Sequence, residues 1–125
     1  MLFLYQSNPI ASLAGRDKTQ QALAKVPLVV SFSPFFDESA RYAHLILPDH
    51  TYLERGQDAP APASVAFPAW GIVQPIVKPL HNTRATGDVI LDLATRLGGE
   101  AAAWSRWPSV EALVQQRGMS LATAI

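Results

Sequence analysis

The sequence predicts an α/β domain built on a mainly parallel sheet. Three observations carry that expectation. Short apolar runs recur at residues 2–5, 26–34 and 45–48. Stretches of helical character lie between them, and the second and third runs end on a proline. Strand, helix, strand, helix, strand within the first 50 residues is the order of a right-handed parallel arrangement.

Leu2 to Tyr5 is continuously apolar, as in a strand buried on both faces. It runs into the polar tetrad Gln6-Ser7-Asn8-Pro9. Residues 16–25, "RDKTQQALAK", predict a helix with Ala22 and Leu23 on its apolar side. "VPLVVSFSP" (26–34) is a second buried strand, β-branched at its centre and stopped by Pro34. "FDESARYAH" (36–44) suits a second helix, with Asp37 and Glu38 favouring its positive N-terminus. "LILP" (45–48) is the third strand. Residues 56–71, "GQDAPAPASVAFPAWG", hold Pro60, Pro62 and Pro68 without helical period, which predicts an irregular loop ordered by packing. "GIVQPIVKPL" (71–80) carries Pro75 and Pro79 and is at most an edge strand. "GDVILDLATRLGG" (87–99) is the strongest helix: Val89, Leu93 and Leu97 share a face, and Gly98-Gly99 stop it. "PSVEALVQQRG" (108–118) predicts a last helix closed by Gly118. The expected organisation is one domain over residues 1–125, with a core over 2–99 and a helical extension over 100–125.

Composition narrows the function. The chain has 125 residues, enough for a single core. Hydrophobic residues reach 49% and charged ones only 16%, which implies surface meant to be covered by a partner or by further chain. Ten basic residues balance ten acidic ones, so no global field favours nucleic acid. With no cysteine, disulfides, thiolate chemistry and cysteine-held clusters are excluded from this segment. No apolar run approaches the roughly 18 residues of a membrane span. Met1 to Tyr5 is too short, and lacks the basic flank, for a signal peptide.

In open parallel sheets, ligands sit beyond the carboxyl ends of the strands. Here those ends read Gln6-Ser7-Asn8-Pro9, Ser31-Phe32-Ser33-Pro34 and Pro48-Asp49-His50. The first two are uncharged and rich in small hydrogen-bonding groups, suited to a ribose, a base edge or a phosphate ester. Pro9 restricts Asn8 to extended backbone and so aims its side chain. An ordinary turn accounts for Ser7-Asn8-Pro9 equally well. No G-x-G-x-x-G loop is present, which argues against a standard nicotinamide or flavin site. His44, His50 and His81 are too scattered for a metal site, and Asp49-His50 suits a solvated turn. Ser31, Ser33 and Ser39 lack a nucleophile-elbow context. Trp70, Trp104 and Trp107 suit either anchors for further domains or ordinary packing.

The series "SNP" after a first strand, then "ALAKVPLVVSFSPFFDESARYAHLILPDHTYLERGQ", resembles one α/β domain of the molybdopterin oxidoreductases of the dimethyl-sulfoxide-reductase type. That family shows a strand ending in G-x-N-P, a strand of the kind "lVV-x-D", then "T-E-T-A-x-x-A-D-V-V-L-P" and "W-L-E-K-x-G". The counterparts here are Asp37-Glu38-Ser39-Ala40, Ala43 to Pro48 and Tyr52 to Gly56. "QPIVKPLHNTRATGDVILDLATRLGG" also fits, so the likeness covers about residues 2–99. It is strongest to the polysulfide-reductase and quinol-oxidoreductase branch.

The resemblance implies a three-layer, Rossmann-like domain of a much longer catalytic subunit, an excised or truncated piece that is inactive alone. Its implied cofactor is molybdopterin guanine dinucleotide, with the metal ligand and iron–sulfur cysteines in other domains. Its implied partners are the other domains of that subunit and the iron–sulfur and membrane subunits of a full complex, without nucleic acid and without direct membrane insertion. Ser7 and Asn8 match the dinucleotide contact after the first strand, and Phe32 and Ser33 the pair after the second. Ser33 stands where the family often has an acidic residue, a weaker acceptor toward ribose. Arg55 takes the place of a basic residue near the cofactor; an ion pair with Glu54 or Asp58 is its alternative. Asp88 matches an acidic residue that reaches the guanine; a helix cap is its alternative. His44 replaces the usual Asp before the third strand. Two other readings remain: a degenerate structural or interaction domain without cofactor, as in the large iron–sulfur subunit of NADH dehydrogenases, and a stand-alone nucleotide-binding α/β protein.

Overall fold

The three apolar runs become strands shorter than their sequence extents: β1 (Leu2–Leu4), β2 (Val29–Ser31) and β3 (Leu45–Ile46). In the computed structural model, which describes residues 1–62, 64–66 and 69–123, they form one parallel sheet in the order β1-β2-β3. Register pairs Leu2 with Val29 and Val30 with Leu45. Backbone bonds prolong the ladder at its carboxyl end, from Phe32 N–H to the Leu4 carbonyl (2.9 Å) and from Asp49 N–H to the Phe32 carbonyl (3.3 Å). This is mixed helix–strand architecture of the α/β class. The chain forms two compact units, one from Met1–His50 with Pro79–Thr86, the other from Thr51–Lys78 with the segment from Gly87 onward.

In the first unit the core is Leu4, Ile10, Leu23, Val29, Val30, Phe32 and Ala40, all buried. Phe3 meets Phe32 edge-on, ring centroids 5.7 Å apart. A short helix α1 (Pro9–Ser12), with its proline in the first turn, follows β1 and buries Ile10. Helix α2 (Arg16–Ala24) starts from Gly15, whose φ of +84° only glycine adopts at low cost, and turns Leu23 inward.

The helix expected over 36–44 does not form; a single 3-10 turn at Ala40–Tyr42 takes its place. Local side chains compete for the backbone there. The Ser33 hydroxyl accepts from Phe35 N–H (3.2 Å), and the Asp37 carboxylate accepts from Ala40 N–H (2.8 Å).

The second unit departs further from expectation. Residues 57–60 are not loop: β4 (Gln57–Pro60) pairs antiparallel with β5 (Trp70–Val73), Gln57 opposite Val73 and Pro60 opposite Trp70. A two-stranded ribbon is all edge, so Pro60 fits at its end and no apolar alternation is needed. The Ala/Pro connection includes Ala63, Phe67 and Pro68, which lie outside the described residues, as does the Trp104 side chain. Helix α3 (Thr86–Leu97) ends as expected at Gly98 and Gly99, with φ of +69° and +56°. A 3-10 stretch (Gly99–Arg106) leads to α4 (Val110–Thr123). Ser109 caps α4, its hydroxyl accepting from Ala112 N–H (3.1 Å). Gly118 does not close this helix but lies within it, because the Trp70 ring occupies the space a Cβ would take. Among the described residues no helix is long and apolar enough to cross a membrane.

Candidate functional site

The carboxyl edge of the parallel sheet gathers three strand ends, each fixed by its own polar contacts. After β1, Gln6 adopts φ +48°, a left-handed conformation uncommon outside glycine, and turns the chain abruptly. Asn8 does not cap its own helix. Its side-chain amide instead donates to Glu38 Oε2 (2.7 Å) and its Oδ1 accepts from Ser39 Oγ (2.7 Å). The buried Ser39 hydroxyl also accepts from Ile10 N–H (3.1 Å). After β2, the Ser33 hydroxyl donates to Asp37 Oδ2 (2.9 Å). Asn8 and Ser33 thus follow neighbouring parallel strands, and both are tied to residues 37–39.

The Asn8 amide, above all, holds the Glu38 carboxyl below the ordinary glutamate range; a backbone N–H and the positive Arg16 and Arg41 act in the same direction. Glu38 therefore stands as an exposed, firmly ionised group at the sheet edge.

After β3, the Asp49-His50 pair is not a solvated turn. Asp49 is 3% exposed, and its Oδ1 accepts from Thr86 N–H and from His50 N–H, both at 2.9 Å. His50 Nδ1 lies 2.7 Å from Thr83 Oγ1, and Arg84 N–H donates to the Pro48 carbonyl (3.1 Å). The Thr86 hydroxyl is buried and has no hydrogen-bond partner among the described residues. His44 serves the sheet: its Nδ1 accepts from Val29 N–H (3.0 Å).

The remaining sequence candidates fall in different settings. Ser7 is exposed beside Asn8. Phe32 is buried, with its N–H and carbonyl both used in the ladder, so core packing accounts for it. Arg55 and Asp88 belong to the second unit. Arg55 is half-buried there, and Asp88 Oδ1 accepts from Val110 N–H (2.8 Å), bonding the start of α4. Sequence reasoning did not single out Glu38, Ser39 and Thr86 as site residues. Glu38 and Ser39 were absorbed into an expected helix, and their partner Asn8 lies about 30 residues away.

A parallel α/β unit with amide, hydroxyl and carboxylate groups along its carboxyl edge defines the class. The chain belongs to the molybdopterin oxidoreductase family, whose profile matches residues 1–96. It is similar to the menaquinone reductase molybdopterin-binding-like subunit of Nitratidesulfovibrio vulgaris, 32% identical over 97 residues, covering 78% of this chain and 14% of that protein. Thiosulfate reductase molybdopterin-containing subunit PhsA of Salmonella typhimurium is 32% identical over 98 residues, 78% of this chain and 13% of its own length. The NADPH-Fe(3+) oxidoreductase subunit alpha of Geobacter sulfurreducens is 29% identical over 103 residues, 80% of this chain and 11% of its own. The chain therefore spans about one seventh of these relatives or less. No solved structure matches it.

Proposed function

We propose that the first unit helps hold the guanosine part of a molybdopterin guanine dinucleotide and performs no turnover itself. One observation supports this reading: the side chains of Asn8 and Ser33, an amide and a hydroxyl, follow neighbouring parallel strands at the carboxyl edge. The donor set fits the group, since Ser7, Asn8 and Ser33 are neutral donors and acceptors suited to ribose and phosphate ester oxygens. When bound, the cofactor would supply two-electron oxo- or sulfur-transfer chemistry at its metal. This chain's part is to orient the distant nucleotide end. The proposal rests on first-unit residues alone; Arg55 and Asp88 remain candidates within the second. It entails a three-layer, Rossmann-like sheet completed by the rest of a catalytic subunit. Its partners would be the other domains of that subunit and the iron–sulfur and membrane subunits of a complex.

A second reading, a structural domain that keeps the fold without the cofactor, has its own observation. The Asn8 amide and the Ser33 hydroxyl are already engaged by Glu38, Ser39 and Asp37. Acid hydrolysis of the full-length subunit separates the two. Guanosine monophosphate released in stoichiometric amount supports the cofactor reading. A purified subunit of full secondary structure that releases none refutes it and leaves the structural one.

A further inference from the structure

We infer that His44 is a latch that joins β3 to β2 only while its ring is neutral, so that acid releases the start of the third strand. The inference holds whether or not the sheet edge carries a cofactor. Two bonds make the latch. His44 N–H donates to the Val29 carbonyl (2.8 Å), and Val29 N–H donates back to His44 Nδ1 (3.0 Å). β3 begins only at Leu45, where the chain has just left the 3-10 turn at Ala40–Tyr42. The imidazole thus supplies the acceptor that a longer strand would supply from its backbone.

The exposure of the two partners makes this bond sensitive to protons. Val29 is fully buried, 0% exposed, so water does not replace the acceptor its N–H would lose. His44 is exposed, so protons reach its ring. A neutral imidazole accepts at one nitrogen and donates from the other, whereas the doubly protonated ring donates from both. A proton on Nδ1 therefore sets N–H against N–H and leaves a buried donor unmade, the costly way to lose a hydrogen bond. The bond is complete with the neutral ring and is lost as acid charges it.

The charged groups on the flanking segments are Lys25, Asp37, Glu38, Arg41 and Asp49. Asp37 bonds Ser33 and Ala40 N–H, Glu38 bonds Asn8, and Asp49 bonds Thr86 and His50 N–H. Arg41 stands at the Phe36 ring. Among the described residues none of the five pairs with His44, so no carboxylate compensates the charged ring. β3 has two residues, Leu45–Ile46, and its next printed rung is Leu47 N–H to the Ser31 carbonyl (2.9 Å). Losing one of so few rungs loosens the strand that leads to Asp49 and His50.

Amide hydrogen exchange of the chain at about pH 8 and about pH 5, corrected for the intrinsic effect of pH, tests the latch. Protection of the Val29, His44 and Leu47 amides should fall about tenfold in acid. Phe32 N–H, which bonds Leu4 on the β1 side, should keep its protection. In His44→Asn the side-chain oxygen stands as many bonds from the main chain as Nδ1 does, and it takes up no proton in this range. That variant should show the same protection at both pH values, whereas His44→Ala should show the lower, acid-like protection at both. A scalar coupling across the hydrogen bond, from the Val29 amide nitrogen to His44 Nδ1, should be present with the neutral ring and absent in acid. His50 and His81 are the same in every chain, so the difference between wild type and His44→Asn belongs to His44. Wild-type protection that ignores pH, an equal loss at Phe32, or a His44→Asn chain that keeps the pH dependence overturns the inference.

Discussion

Gly118→Ala tests the packing of the second unit with opposing effects of known sign. In an exposed helix interior, alanine in place of glycine stabilises by about 1 kcal/mol. At Gly118 the new Cβ would overlap Trp70 Cζ3 and lie 2.6 Å from Cη2 and 3.2 Å from Cε3. The indole is rigid, so relief requires moving the whole ring or bending α4. Overpacking of this kind costs about 1–3 kcal/mol, and overlap with two ring atoms of a rigid indole places it at the upper end. The net expectation is a loss of about 2 kcal/mol, or about 8 °C in melting temperature. Urea unfolding followed by far-UV circular dichroism reads α4 without depending on Trp70 emission. In a Trp70→Leu background the ring is gone, and Gly118→Ala should become stabilising by about 1 kcal/mol. Stabilisation in the wild-type background, or the same loss in both backgrounds, would refute the argument.

Three further outcomes are expected. Asp49→Ala strips the acceptor from Thr86 and His50 N–H; chemical denaturation should show a loss of about 2–3 kcal/mol, and Asp49→Asn, which keeps one oxygen, a smaller one. Asn8→Asp sets a second carboxylate against Glu38 and should destabilise in the same assay, the loss shrinking in acid as the pair takes up a proton. Because Glu38 is held below its ordinary value, its contribution is complete above the usual carboxylate range and is lost as pH falls through the lowered value. The Asn8 side-chain amide resonances should titrate with that acidic midpoint, and a midpoint at or above the ordinary glutamate value would show that the bond is absent in solution.

The parallel sheet was legible because its signal is local. Val29 and Val30 mark a strand that is fully buried, and the apolar run at Leu2 marks β1, which is not buried on both faces as expected, since Phe3 is 37% exposed. Helix α3 was legible for the same reason, its apolar face and Gly98-Gly99 stop lying within one window. The segment at 36–44 was not, because Asp37 and Ser39 carry helix-start chemistry yet spend it on Ser33, Asn8 and Ile10. The β4–β5 ribbon escaped notice because prolines and exposed residues leave no period to read. At the candidate edge, the residue types at the first two strand ends were evident from sequence. Which side chains hold which was not, since the deciding pairs, Asn8 with Glu38 and Asp49 with Thr86, are separated by 30 and 37 positions. Gly118 looked like punctuation, although its neighbour in space is Trp70.

The contacts joining Pro48–His50 to Thr83–Thr86 lie wholly inside the first unit, yet the chain leaves that unit between them, over residues 51–78. The first unit is thus clasped at the mouth of an excursion rather than along it. Closing a loop costs little more as it lengthens, about 0.6 kcal/mol for each doubling. The clasp therefore makes this part of the chain permissive to length change: a relative can extend or shorten the excursion while Asp49 still finds Thr86 and the sheet edge is undisturbed. Family members should vary most in length here, and a new module inserted between Thr51 and Lys78 should leave the first unit folded.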